Sequence, residues 1–367
     1  PFLPPGTQIV FDRVAQDIVL SNVKKQLKLS TRDLVADVRQ HKPADATPRD
    51  YGLGSYLHAA ERSLADIYGP GTRSLNSQKR SASWSTLVDW AFPADRGEPL
   101  SDTADALLRR VGALTHIDDP ERIQAYRRLL TAPTLPAGVE KDLHAAMLVY
   151  SFWPNGERSI RTGHDELRSH ASMVKELLHL LAFQEQSSRV RPEALSGSVG
   201  DSPLRSHARY SREELLAGLG LGTLDVGAPG SIREGVKWLP GMNVDALLVT
   251  LKKSEADYSP TTMYRDYAIN QQLFHWESQS TTSVESPTGQ RYINHASRGS
   301  SVVLFVRRAK TGDIGTEPYT CLGTAQFQQA TGSRPMQIVW RLDRTMPADL
   351  FMEARAVAEA GPTGRVL

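Results

Sequence analysis

The spacing of apolar residues changes character about halfway along the chain. Residues 8 to 11 read as a short strand, and Asp12 opens an amphipathic helix with Val14, Ile18, Val23 and Leu27 on one face. From residue 30 to about 186 the period stays helical. Thr47-Pro48-Arg49-Asp50 supplies an N-cap, a proline at the first helical position and an acid in the first turn, which predicts a helix running to Ile67 and stopped by Gly69-Pro70-Gly71. Further helices are predicted over 83–90, 101–114, from Asp119-Pro120-Glu121 to before Pro133, over 136–152, and over 163–183 with Leu167, Val174, Leu177, Leu178 and Leu181. Trp84, Trp90 and Trp153, at helix ends, read as core anchors.

Residues 186–209 are rich in Ser, Gly, Pro and Arg with no apolar period, the composition of a linker or long surface loop. Beyond them Ser211 and Glu214 form a capping box ahead of a short helix that stops at Gly220. Strand-like runs follow at 246–251, 273–279, 301–307, 320–328 and 337–342. The expected class is α+β: an N-terminal all-α helical region over 30–185 followed by a mostly β, barrel-like C-terminal domain over 210–345. The segment 1–29 reads as the end of an upstream α/β domain, and 346–367 as a fraying tail. Because the chain opens PFLPPGTQIVFDRVA without methionine, it is expected to be the C-terminal part of a larger protein.

Composition narrows the classes. The 367 residues exceed one ordinary core, and 40% hydrophobic with 23% charged content is that of a globular protein. No run approaches the roughly 18 apolar residues of a membrane span. The single Cys321 rules out an internal disulfide and cysteine-based zinc modules, and fits a cytoplasmic setting. A net charge of +2 names no partner. Locally the balance differs: over 286–344, Arg291, Arg298, Arg307, Arg308, Lys310, Arg334, Arg341 and Arg344 face only Asp313, Glu317 and Asp343. Such an excess could meet phosphates or decorate a solvated strand face.

The densest chemistry lies over 249–295, where Tyr258, Tyr264, Tyr267, Phe274, Trp276 and Tyr292 sit among short-armed hydrogen-bonding residues. Bases taken from a duplex are recognised by ring faces and side-chain edges. Tyr258, Tyr264, His275, Trp276 and Tyr292 are candidate platforms. Gln279, Ser280, Thr281, Thr282 and Arg291 are candidate edge or phosphate contacts, with Ser259, Thr261 and Thr262 as a turn of free hydroxyls and Lys252, Lys253, His295, Arg298 and Arg334 around them. Strand alternation puts His275, Glu277 and Gln279 on the outward face and Phe274 and Trp276 in the core. Tyr267 is also read as core.

The segments SPTTMYRDYAI, LFHWESQS, SPTGQRYINH and SRPMQIVWRL resemble a known family, the C-terminal domain of unknown function 3427. That domain follows the helicase core of bacterial superfamily II (DEAD/DEAH-type) helicase-like proteins, some of which begin with a phospholipase D-like nuclease. The resemblance is specific over 210–342 and thin in the helical region. FLPPGTQIVFDRVAQDIVL, within 1–29, resembles the end of the second helicase lobe. The resemblance implies a DNA-directed, ATP-driven parent in restriction or phage defence, with DNA and the parent's own helicase core as partners. ATP and magnesium would belong to that core, since the chain contains no GxxxxGK[ST]. This chain would then recognise DNA, with modified or unpaired bases as targets, without chemistry of its own.

Two other classes are open at this stage. A metal-dependent nuclease would use Glu277 after Asp257 or Asp266, but Gln279 stands where the lysine of an acid-x-Lys motif belongs, and the family's pattern has Gln at position 277. His275 and His295 would need two more ligands to hold a metal. A protein-docking regulatory domain, folded back on the helicase, is the other alternative.

Overall fold

The computed structural model describes residues 30–69, 83–96, 100–134, 136–188, 191–232, 234–252 and 266–359. The strand and helix expected over 8–29, the lobe-like segment they belong to, and the end of the tail beyond 359 lie outside the described residues. Contacts divide the chain into two units, residues 1–51 with 55–97, and residues 52–54 with 98–367.

The first unit is built from short helices: α1 (Thr31–Gln40), most of α2 (Leu53–Ala59), α3 (Leu64–Tyr68) and α4 (Trp84–Ala91). Ser30 starts α1 with a reciprocal capping box to Asp33. The single helix expected from Thr47 to Ile67 is in fact two. Thr47 and Asp50 close a turn on each other, Glu61 adopts a left-handed φ of 49°, and Ser63 restarts the chain with a second capping box to Asp66. The centre is aromatic. Trp84 stacks on Tyr56 at 5.1 Å, meets Tyr51 edge-on, and donates its Nε1–H to the Tyr51 carbonyl at 3.1 Å.

The second unit begins with α5 (Asp102–Leu108), α6 (Pro120–Thr131), α7 (Leu143–Phe152), α8 (Ile160–Ser169) and α9 (Ala171–Ser187). Side-chain caps from Ser101, Asp119, Asp142 and Ser159 start the first four. Apolar on almost every side, α7 is buried at seven of its ten positions, as a helix enclosed by others must be. The helix expected over 163–183 breaks at His170, whose extended backbone ends α8 and begins α9.

Residues 191–209 pack instead of merely spanning. Leu195, Val199, Leu204 and Ala208 are buried, and β1 (Glu193–Ala194) pairs with β2 (Arg205–Ser206). Their apolar anchors are too irregularly spaced to register as a period. Then come β3 (Arg209–Tyr210) and α10 (Arg212–Gly218), which carries the expected Ser211–Glu214 capping box.

The main sheet contains β4 (Val236–Leu239), β5 (Val244–Thr250), β6 (Tyr267–Ala268), β7 (Leu273–Glu277), β8 (Ser301–Arg307), β11 (Tyr319–Thr331) and β12 (Gln337–Leu342), in the order β4-β5-β8-β11-β12-β7-β6, with β3 added to β11. Only β5 and β8 run parallel; the other pairs are antiparallel. Thr311–Gly312 (β9) and Gly315–Thr316 (β10) form a separate hairpin. The path ends at β4 and β6 without joining them, so the described strands make an open sheet and no closed barrel. All five predicted strands are present.

One face of the sheet holds the core: Leu247, Val249, Phe274, Trp276, Val302, Leu304, Ile338 and Trp340, closed over by Tyr292 of α11 (Pro287–Ile293) and by Leu350 and Ala354 of α12 (Ala348–Glu359). The expected fraying tail is thus, through Ala354, part of the core. Its apolar residues fall at helical spacing behind Met346, and that was the missed signal.

A buried ionic cluster joins α6 to α10. Glu214, fully buried, accepts from Arg122 Nη1 at 3.1 Å and from the Tyr126 hydroxyl at 3.0 Å, while His116 Nε2 lies 2.5 Å from its other oxygen. Arg122 also donates to the Arg209 carbonyl at 2.7 Å and lies 4.2 Å from the Tyr210 ring centre. Every charge is matched, as burial requires. Among the described residues, no helix is long and apolar enough to cross a membrane.

Candidate nucleic-acid interface

The two ends of the sheet's strand order are covered differently. Strands β5 and β8 are buried at all seven positions, so both of their faces are enclosed. On β7, burial alternates: Phe274 and Trp276 point inward, while Leu273, His275 and Glu277 stay partly exposed. Register extends that outer face across β12 and β11. Glu277 pairs with Gln337, His275 with Val339 and Leu273 with Arg341, and these meet Thr331, Gln329 and Gln326. Gln337, Arg341 and Gln329 are exposed. A β-bulge between Phe327 and Gln329 keeps Phe327 on the core side.

An aromatic pair lies in this uncovered face. Tyr267 on β6 sits opposite His275 on β7, and their rings stack at 4.5 Å with 14° between planes. Tyr267 was expected in the core. Its neighbour Ala268 takes that position instead, and period-two alternation turns Tyr267 outward. Chemically, the face combines a flat ring stack with amide side chains, one guanidinium and the Glu277 carboxylate around Leu273 and Val339. Rings with amide edges are the equipment for stacking a base and bonding its edge.

Around it, Gln279, Ser280 and Thr281 follow β7 and are exposed. Arg334 is exposed in the β11–β12 turn, where its amide donates to the Thr282 carbonyl. Arg298 is exposed in the turn ahead of β8, and Lys252 is exposed just past β5, its amide bonded to the Arg308 carbonyl. Lys253, Tyr258, Ser259, Thr261, Thr262 and Tyr264 lie outside the described residues.

Five other candidates are structural. Tyr292 and Trp276 are enclosed in the core, edge to face at 5.5 Å, so neither ring offers a surface. Burial pushes the Tyr292 hydroxyl pKa upward, with Asp245 adding to the shift. Thr282 is buried. His295 is buried too: its Nε2 accepts the Phe327 amide at 3.1 Å, and its Nδ1 lies 3.2 Å from the Ser300 carbonyl. Desolvation lowers its pKa, which keeps the ring neutral in that bridging role. Arg291 is held by Asp245 and lies 4.5 Å from the Trp238 ring centre.

The charge excess over 286–344 does not converge on the uncovered face. Arg291 is matched by Asp245, Arg344 by Glu193, and Arg308 by Glu353 and Asp349. These acids come from outside the counted stretch. Arg307 is buried and donates to Thr250.

For metal chemistry the geometry is poor. Asp266 is buried and its carboxylate accepts the Glu277 backbone amide at 3.1 Å. Among the described residues no three His, Cys, Asp or Glu side chains cluster as a metal site would need.

No curated protein matches the chain. Residues 204–354, running from the edge of β2 through the uncovered sheet face into α12, match the family model of a domain of unknown function, DUF3427.

Proposed function

We propose that this sheet is a nucleic-acid recognition surface, laying unpaired bases on its uncovered half without performing chemistry on them. The observation that carries the reading is the Tyr267–His275 ring stack on an outer face that also carries Gln326, Gln329, Gln337 and Arg341, with Glu277 as its acid. Ring stacking contributes about 1–3 kcal/mol per base and tolerates any sequence. The resemblance in the sequence supplies the setting: an ATP-driven, DNA-directed helicase-like parent in the cytoplasm, acting in restriction or phage defence, with ATP and magnesium held by the upstream core.

The test is fluorescence anisotropy with a single-stranded oligonucleotide of about 12 nucleotides and the corresponding duplex. Preference for the single strand, with affinity reduced about tenfold by Tyr267→Ala, is expected. Equal binding by the native protein and Tyr267→Ala would remove the stacking role.

A further inference from the structure

Away from the uncovered face, where Arg307 and Arg308 end β8, lies a cleft of about 540 Å³. Arg191, Arg209, Arg307, Arg308 and Arg344 line it together with His207. The volume is in the range of small-ligand sites.

Internal bonds sort these cations. Arg344 donates to the Ser206 carbonyl and hydroxyl and to the Arg191 carbonyl, and pairs with Glu193. Arg308 reaches Glu353 at 3.2 Å and lies 3.9 Å from Asp349. Both are spent. Arg209 uses its Nε on Asp118 at 2.8 Å, which leaves its two terminal nitrogens without a partner among the described residues. Arg307 uses Nε on Thr250 and Nη1 weakly on the Glu317 carbonyl, leaving Nη2. The Arg191 side chain is exposed and makes no bond among the described residues. Of the three acids in the lining, Asp118 is engaged by Arg209 and Glu317 by the Ala309 amide at 2.9 Å, while the exposed Asp349 lies beside Arg308.

His207 adds an independent sign. Its φ is +70°, a left-handed conformation that a residue with a side chain adopts at a cost and that concentrates at functional sites. One ring nitrogen engages the Thr345 backbone, while Nε2 is buried with no partner among the described residues. A buried polar atom left this way is stabilised by a ligand that meets it.

We propose that this cleft binds a phosphate-bearing ligand of mononucleotide size, with the phosphate held by Arg191, Arg209 and Arg307 and the organic body against Pro318 and Pro347. Guanidinium forks match phosphate oxygens in pairs, which a scattering of lysines would not do. The same chemistry could come from a free nucleotide or from the 5′ end of a strand.

Isothermal titration with adenosine 5′-monophosphate, with adenosine as the control, tests the phosphate requirement. A second arm compares a 5′-phosphorylated oligonucleotide with its 5′-hydroxyl counterpart. Binding of the monophosphate but not adenosine, weakened at least about tenfold by Arg191→Glu and left intact by Arg110→Glu, is the expected result and indicates a free nucleotide. A preference for the phosphorylated end that Arg191→Glu abolishes supports the site with a strand end as its ligand. Absence of any phosphate-dependent binding at millimolar ligand, or equal binding by Arg191→Glu, overturns the proposal. Because Arg191 is exposed and its side chain bonds nothing among the described residues, loss of folding does not confound the variant. Failure here leaves the sheet-face reading standing, since both arms read only the difference that a phosphate makes and Arg191 lies off that face.

Discussion

The guanidinium of Arg291 meets the carboxylate of Asp245 through two hydrogen bonds, Nε to Oδ2 at 2.6 Å and Nη2 to Oδ1 at 2.8 Å. Asp245 is fully buried on β5, and Arg291 reaches it from α11. Burial pushes the Asp245 pKa up, and Arg291 offsets the shift only in part. Arg291→Met would strand the carboxylate and should cost about 3 kcal/mol. Pairing it with Asp245→Leu should recover most of that loss. In the single variant Asp245 favours its protonated form more strongly, so its stability should fall as pH rises from 4 to 7. Urea midpoints at both pH values measure this, and an unchanged midpoint for Arg291→Met would remove the structural role.

Glu214 titrates in the opposite sense. Burial alone would raise its pKa, but the Arg122 charge, His116 and the local hydrogen bonds reverse the shift and bring it to about 2. A carboxylate with a depressed folded pKa contributes stability above its unfolded value near 4.5, lost as pH falls toward 2. The loss on full protonation is on the order of 3 kcal/mol. Glu214→Gln should be less stable than the native chain at pH 7 and should lose less stability between pH 6 and 3. Parallel pH profiles for the two proteins would place the acid sensitivity elsewhere.

The Ser-Pro-Thr-Gly segment, 286–289, starts a helix. Ser286 Oγ accepts the Gly289 amide at 3.0 Å, and Pro287 occupies the first turn. A Cβ on Gly289 would sit 2.0 Å from the Ser283 carbonyl oxygen and 2.9 Å from Met336 Sδ. Ser286→Ala should therefore cost about 1 kcal/mol. Gly289→Ala should cost more, because backbone must move to admit it. Denaturant unfolding ranks the two, and the reverse order would mean that the Ser283 turn yields easily. The helix also places Tyr292 and His295, so Gly289→Ala should weaken the near-ultraviolet aromatic signal.

That segment illustrates what the sequence could and could not disclose. Alternation along Leu273–Glu277 correctly assigns Phe274 and Trp276 to the core and His275 to the outer face, because a strand covered on one side leaves a period-two record. Capping chemistry at Ser211 and Asp119 is equally local and was legible. Arg291 and His295 were not, because their partners Asp245 and Phe327 lie 46 and 32 residues away. A run of basic residues says nothing about acids that folding brings in from Glu193 or Glu353. The cleft is hidden for the same reason, its arginines being spread from 191 to 344.

Internal pairing of those charges sets an expectation for salt dependence. Each phosphate contact on single-stranded nucleic acid contributes about −0.7 to the log–log slope of affinity against salt. On and beside the uncovered face, Arg341 and Arg334 are exposed and held by no acid among the described residues. Two such contacts give a slope of about −1.4, whereas all eight basic residues of 286–344 acting together would give about −5.6. Arg341→Ala should flatten the slope by about 0.7. Tyr267→Ala should instead lower affinity by a similar factor at every salt concentration, because ring stacking releases no counterions. Anisotropy titrations from low to moderate salt separate the two effects. A steep native slope unaffected by Arg341→Ala would move the phosphate contacts off this face, and parallel lines for the native chain and Tyr267→Ala, displaced by about tenfold, would keep the bases on it.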